Sequence, residues 1–388
     1  MRILVLGCKE YPAFTTDWVH SGGMEVYTER MVRSLSSRAR FTLYTAAGAS
    51  DADARVVSLG GVRGLRTQPL SLFTRSFRRL AAENSRFDLL NPQTPLAALA
   101  ARAELRRSGT PYVVTVHIFG SDPAHAGSAA AAWLYSRVEQ FVFRRAAAII
   151  ATGRTLGEFL ARRYPGVAGK VKVVTAAGMG VRETADPSET RARLEIPREA
   201  PLLLFLGRVV AENGVGDLLH ATALLRRKLP ELRLLIAGSG NGDAALGERI
   251  LSLGLDGAVR KIPRLRGQEK LDVLAASDLL VRLSRHEVFP EAYLEALSVG
   301  TPVAATPAGD TADLAAASGA ITLLPFGDAV AQTEVIEELL RARERRHAMR
   351  EHALEYSRRV RWQEQRELYW NVLQEAGRGG WPAQPATR

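Results

Sequence analysis

Apolar runs rich in Val, Ile and Leu recur along the chain and alternate with stretches whose apolar positions repeat every three to four residues. Strands are predicted at Ile3–Gly7, Phe41–Ala46, Phe87–Asn91, Tyr112–His117, Ala148–Thr152 and Val171–Ala176, with a helix from about Met24 to Ser37. Such runs are continuous where a half-exposed strand would alternate. They mark strands buried on both faces, hence a parallel sheet covered by helices. The cycle then restarts, with strands at Pro201–Gly207, Leu232–Gly238, Ala258–Pro263, Asp278–Ser284 and Thr301–Ala305 and a helix at Gly214–Arg227. Between the two series, Ala176–Pro187 carries Gly178, Gly180 and Pro187 without helical periodicity and is expected to connect two domains. A last helical stretch, Thr333–Ala376, breaks near Val360, and the Gly- and Pro-rich tail after it is expected to be disordered. The pattern predicts an α/β protein of two Rossmann-like domains facing each other across a cleft.

The charge changes this picture more than the composition does. At 388 residues the chain has room for two domains, and 52 Lys and Arg against 41 Asp and Glu leave it at +11. Residues 1–180 hold 24 basic and 12 acidic side chains (+12), and residues 181–388 hold 28 and 29 (−1). The excess therefore belongs to the N-terminal half. That argues against a uniformly basic nucleic-acid coat and for one half meeting something acidic. The competing reading is compositional drift, since 46 of the basic residues are Arg and 6 are Lys. A nucleic-acid partner is not expected, because no basic stripe is interleaved with aromatics. The single Cys8 excludes a disulfide scaffold and a Cys-based zinc site, and the histidines form no ligand cluster, so no metal is expected. The run Ile3–Gly7 is too short for a signal-peptide core, and no run reaches the roughly 18 apolar residues of a bilayer span. A cytoplasmic location is expected, in solution or peripheral on the inner membrane face.

In open parallel sheets, ligands bind beyond the carboxyl ends of the strands. Four predicted strand ends carry polar or glycine positions: His117, Gly207-Arg208, Gly238-Ser239-Gly240 and Glu287. Pro290 suits the first position of a helix, which places Glu287 in the loop before it and Glu291 and Glu295 on it. The free N–H groups at such a helix start seat a phosphate, with Glu287 available to sugar hydroxyls and Glu295 to a ribose diol. A solvated carboxylate face is the competing reading. Arg208 has the chemistry to grip a diphosphate bidentately, or is one more surface arginine. Gly22-Gly23 allows backbone to approach a phosphate, or marks a plain turn. His117 alone reads equally as a hydrogen-bonded structural histidine. The first strand is followed by Gly7-Cys-Lys-Glu-Tyr-Pro12, which lacks the Gly-x-Gly-x-x-Gly of nicotinamide sites. Asp51-Ala-Asp53 is a short metal-like pattern in a polar loop and carries little weight.

Together these residues, in this order, resemble the GT-B-fold glycosyltransferases of family 4 over roughly residues 1–375. The strongest piece is Ser284-Arg-His-Glu287-Val288-Phe289-Pro290-Glu291-Ala-Tyr-Leu-Glu295-Ala-Leu-Ser-Val-Gly300-Thr-Pro302-Val303, similar to the family's Glu-x7-Glu helix and Gly-x-Pro-Val turn. Phe205-Leu-Gly207-Arg208, Ile236-Ala-Gly238-Ser-Gly240, Gly22-Gly23 and the strand ending in His117 support it, and Ala308–Asp313 resembles a Gly-Gly-x-x-Glu loop with Asp for Glu. The resemblance implies an acceptor domain at 1–178, a nucleotide-sugar domain at 179–360, a helix at 361–376 crossing back to the first domain, and a disordered tail at 377–388. It implies donor contacts from Gly22, Gly23, Gly207, Arg208, Asn213, Gly238, Phe289, Pro290, Glu291 and Glu295. Catalytic roles fall to His117, Arg208 and Glu287. Transfer of a hexose-type sugar with retention, without metal or resident cofactor, is expected. The sequence departs from the family at Asn213, where the family usually has Lys, and at Val288, where Gly is common. Arg264, Arg266 and Arg285 are candidates to replace the missing charge; otherwise the diphosphate is gripped differently, or catalysis is lost, the alternative being a non-catalytic GT-B protein binding a nucleotide-sugar or a partner protein.

The acceptor is expected on the N-terminal half, as a carbohydrate, a lipid-linked sugar or a small molecule. Over Leu72–Phe87, a helical period places Phe73, Phe77, Leu80 and Asn84 on one face and Arg75, Arg78 and Arg79 opposite. Such a helix suits an anionic membrane surface, or packs its apolar face on the sheet.

Overall fold

A computed structural model describes residues 1–13, 23–60, 68–82, 86–122, 126, 128–240, 242–288 and 290–378. The chain forms two compact units: Met1–Ala176 together with the chain from Gln363 on, and Ala177–Trp362. Both are α/β with parallel sheets, as the continuous apolar runs require.

In the first unit, β1 (Arg2–Leu6), β3 (Arg40–Thr45), β5 (Ala54–Ser58) and β6 (Leu89–Pro92) form a sheet in the order β5-β3-β1-β6. A second sheet, β7 (Val113–Val116), β8 (Ala148–Ala151) and β9 (Val171–Val173), follows in the order β7-β8-β9, and a parallel bridge between Leu90 and Tyr112 links it to β6. Short strands β2 (Glu10–Tyr11) and β4 (Ala47–Gly48) pair separately. In the second unit, β10 (Leu202–Leu206), β11 (Arg233–Ala237), β12 (Val259–Ile262), β13 (Leu279–Arg282), β14 (Val303–Ala305) and β15 (Ile321–Leu323) are ordered β12-β11-β10-β13-β14-β15, all parallel. Every residue of the central strands β10 and β13 is buried.

Besides the two-residue strands β2 and β4, two strands escape the hydrophobic reading, β5 and β15. Each lies at a sheet edge, where half-exposed positions dilute the apolar run. The last helical stretch has two breaks, at Ala342 and at Val360, giving helices Ala329–Arg341, Arg343–Arg359 and Trp362–Gly377. In the helix Gln68–Ala82, Leu72, Ser76 and Leu80 are buried and Phe77 stands 43% exposed. The face turned inward therefore runs through 72, 76 and 80, not through Phe77, and Arg75 donates to the Leu59 carbonyl at 2.7 Å. Asn84 and residues 379–388 of the expected disordered tail lie outside the described residues.

Candidate active site

The register of the second sheet aligns the ends of β10, β11 and β13. Leu206 pairs with Ala237, so Gly207 and Gly238 come side by side, and the Gly207 N–H donates to the Ala237 carbonyl at 3.1 Å. Both have φ near +150°. A Cβ on Gly238 would stand 1.9 Å from the Gly207 carbonyl oxygen, and one on Gly207 would stand 2.3 Å from an Arg282 nitrogen. These glycines are required by the close approach of neighbouring strand ends, and they keep the floor of the site at backbone level.

Arg282, the last residue of β13, lies beneath that floor at 6% exposure. Its Nη1 donates to the Leu206 carbonyl at 2.5 Å, Nε and Nη2 reach Ser284 Oγ at 3.2 and 3.0 Å, and Nη2 reaches Glu287 Oε1 at 2.6 Å. The guanidinium also sits 5.3 Å from the Phe205 ring centroid. Arg282 and Glu287 side chains are 7% and 17% exposed, so this is a desolvated ion pair that fixes the Glu287 carboxylate in one place. Glu295, one helical face further on, accepts from Lys270 Nζ, with the two side chains 12% and 19% exposed. Each glutamate of the Glu-x7-Glu pair thus has a cation of its own, and neither lies on a solvated carboxylate face.

Asn213 is 8% exposed and donates from Nδ2 to the Arg208 carbonyl at 2.8 Å, closing the turn Ala211–Asn213. Its amide is used within the loop. Arg208 itself is exposed and in no ion pair among the described residues. Arg285 is exposed and 3.6 Å from Asp217. Pro290 precedes the helix: its ψ of 84° keeps it outside, and Glu291 is the first residue of Glu291–Ser298. The expectation that Pro290 is the first helical residue is corrected by one position, because the approach of the loop sets ψ while the ring sets only φ. The Ala308–Asp313 loop lies against the Glu287–Val288 backbone, with the Asp310 N–H donating to the Val288 carbonyl at 3.3 Å. Phe289 lies outside the described residues.

His117 follows β7 in the first unit, at the carboxyl end of its sheet. Gln93 Nε2 donates to Asn91 Oδ1 at 2.7 Å, which leaves Gln93 Oε1 as the acceptor facing His117 Nε2 at 3.0 Å. Thr28 Oγ1 lies 3.3 Å from the same oxygen. Asn91 donates to Thr115 Oγ1 at 3.1 Å, and Tyr369 of the last helix donates to Asn91 Oδ1 at 2.9 Å. The Tyr27 ring stands edge-on to the imidazole at 5.3 Å. Loss of water around the ring pushes the His117 pKa down to about 3. The imidazole is then neutral near pH 7, with its proton on Nε2 toward Gln93 and an Nδ1 lone pair that has no partner among the described residues. Gly23 opens the helix Gly23–Leu35, while Gly22 lies outside the described residues. Asp51 and Asp53 are bound up with Arg33 at 3.3 and 3.0 Å.

The sequence reading missed Arg282, Lys270, Asn91, Gln93 and Tyr369. Arg282 had a signal: a lone charge inside an apolar strand needs a partner, and Glu287 is the next carboxylate downstream. Lys270 and Tyr369 had none, since each meets its partner through the fold.

A floor of strand-end glycines with charged side chains around it, on a parallel sheet, defines a nucleotide-binding α/β protein. Residues 186–356 match the family described as "Glycosyl transferases group 1", and residues 22–177 match a "Glycosyl transferase 4-like domain". The D-inositol 3-phosphate glycosyltransferase of Frankia alni is 30% identical over 296 residues, 70% of each chain. Among solved structures, sucrose-phosphate synthase from Thermosynechococcus elongatus has a TM-score of 0.84 at 18% identity, covering 97% of this chain and 98% of that one. Anabaena HepE in complex with UDP-glucose has a TM-score of 0.77 at 19% identity, covering 97% and 100%. The fold is of the GT-B type, and the chain belongs to the group 1 glycosyltransferases of family 4. It is a glycosyltransferase that draws on a nucleotide-sugar donor.

Proposed function

We propose that this chain transfers a hexose from a uridine-diphosphate sugar to a hydroxyl acceptor, with retention of configuration and without a metal. The observation that carries the reading is the Glu287 carboxylate, held by buried Arg282 beside the Gly207–Gly238 floor. A fixed carboxylate at a strand-to-helix loop is suited to accept hydrogen bonds from donor-sugar hydroxyls. The exposed Arg208 and the N–H groups at the start of Glu291–Ser298 complement a departing diphosphate. Lys270 holds Glu295 for the ribose hydroxyls. Neutral His117 offers Nδ1 as an acceptor to a sugar or acceptor hydroxyl. The UDP-glucose of the HepE structure supports the donor class, and the inositol phosphate in the relative's name supports a phosphorylated polyol as acceptor.

Arg282 also bears on Asn213. The positive charge that the family usually places at position 213 is absent, and the Arg282 charge beneath the floor is already taken up by Glu287, which leaves the exposed Arg208 to meet the diphosphate.

A thermal-shift screen of nucleoside diphosphates comes first, since a ligand that binds only the folded chain raises the melting temperature. Transfer from UDP-glucose to inositol phosphates is then followed by NMR, which reads the anomeric configuration, with and without EDTA. Glu287→Gln keeps a hydrogen-bond acceptor for Arg282. It is expected to retain the fold and lose transfer by about 10²–10³-fold, the scale of one electrostatic contact in a desolvated site. Wild-type turnover in that variant removes Glu287 from the mechanism, inverted product or EDTA sensitivity overturns those parts of the proposal, and UDP binding without turnover favours a non-catalytic protein.

A further inference from the structure

The amino-terminal edge of the β7-β8-β9 sheet, opposite the edge where His117 lies, carries a groove of about 990 Å³. Among the described residues, five arginines line it, Arg102, Arg137, Arg144, Arg145 and Arg163, and no carboxylate does. Among the described residues, none of Arg137, Arg144, Arg145 and Arg163 is in an ion pair. The adjacent Glu139 is turned inward, where Tyr164 donates to it at 2.5 Å, and burial raises its pKa. Arg102 lies over the Phe141 ring at 3.9 Å, and its Nε and Nη1 are buried without a hydrogen-bond partner among the described residues. Arg163 interacts electrostatically with Glu139, while Arg102, Arg137, Arg144 and Arg145 share the groove as like charges that repel one another, so an anion is the complement they call for.

The helix Ala129–Phe143 shows what kind. Ala132, Glu139, Val142 and Phe143 face the core. At the helical period, Trp133, Leu134, Arg137, Phe141 and the following Arg144 fall within an arc of about 100° on the other side. Trp133 is 64% exposed, Leu134 60% and Phe141 48%, and Arg137 stands 5.9 Å from the Trp133 ring centroid. An exposed leucine between two exposed aromatics gains nothing from a phosphate or from stacked bases. Alongside arginines it matches the boundary between lipid headgroups and acyl chains.

We propose that this helix and the arginine groove beside it dock on an anionic phospholipid surface. The apolar stripe enters the interface, while Arg137, Arg144 and Arg145 meet the headgroup phosphates. The surface lies in the first unit and does not depend on what the chain transfers.

Co-sedimentation of the full chain with vesicles tests this, using phosphatidylglycerol mixed with phosphatidylcholine against phosphatidylcholine alone. Binding is expected only to the anionic vesicles and is expected to weaken as salt rises from about 0.05 to about 0.5 M. The triple variant Arg137→Gln/Arg144→Gln/Arg145→Gln is expected to lose on the order of 100-fold in affinity. Trp133→Ser/Leu134→Ser is expected to lose at least about tenfold while keeping its salt dependence. A blue shift of tryptophan emission on vesicle binding, absent in Trp133→Phe, locates the contact. All these residues are exposed or line the groove, and unchanged melting temperatures confirm folded variants. Absent or salt-independent binding, equal binding by the variants, or binding of a duplex oligonucleotide or of inorganic phosphate in place of vesicles overturns the proposal.

Discussion

At the scale of single residues, the site rests on charges that hold each other. Arg282 lies in the interior of the second unit, and desolvating a guanidinium and a carboxylate offsets most of what their attraction returns. Removing one partner leaves the other buried and alone. Arg282→Met is therefore expected to destabilise the second unit by about 3–5 kcal/mol, read as a lowered urea midpoint. Arg282→Met/Glu287→Leu is expected to recover most of that loss without recovering transfer. An Arg282→Met protein as stable as wild type shows that the pair is not desolvated as the structure has it. Glu287 and Glu295 were legible from their spacing around a helix start. Lys270 was not, because it reaches Glu295 from another helix, and spacing along the chain carries no information about that distance.

At the scale of elements, the last helix, Trp362–Gly377, belongs to the first unit. It buries Tyr369, Val372, Leu373 and Ala376 there, and Tyr369 joins the polar chain of Asn91, Thr115 and Gln93 that ends on His117. Deleting the chain from residue 361 on removes these side chains, leaves Asn91 without its Tyr369 partner and is expected to unfold the first unit at lower temperature than the second, read as two calorimetric transitions. Tyr369→Phe removes one hydroxyl from a buried network and is expected to cost about 1–2 kcal/mol by urea titration. An unchanged midpoint removes Tyr369 from that network. The apolar pattern located the interior strands but not β5 or β15, since an edge strand keeps one side open and needs fewer apolar residues. It also placed the inward face of Gln68–Ala82 one residue off, because what decides that face is the neighbour the helix packs on.

At the scale of the whole molecule, proton linkage gives a further test. His117 has a folded pKa of about 3, below its unfolded value, so between about pH 3 and 6.5 the unfolded chain holds more protons on this group. Its contribution to stability is fully present above pH 6.5 and is lost as pH falls through that window. The slope is about 1 kcal/mol per pH unit or less for a part-buried ring. His117→Gln is expected to flatten the melting temperature between pH 4 and 6.5 relative to wild type, and identical slopes place the imidazole in water. No described helix is long and apolar enough to cross a membrane.

The charge split between the halves, +12 against −1, was fixed by composition. So were the two series of buried strands and the polar residues at their carboxyl ends, because burial on both faces demands continuous apolar runs and a sheet's ligands gather where its strands end. The tertiary structure alone decided the partners: Arg282 behind Glu287, Lys270 behind Glu295, Tyr369 on Asn91, and five arginines in one groove with no carboxylate among its described lining residues. Interactions between residues distant in sequence depend on register and packing. A charge excess read from the sequence acquires chemical meaning only when the fold sets which charges remain unpaired.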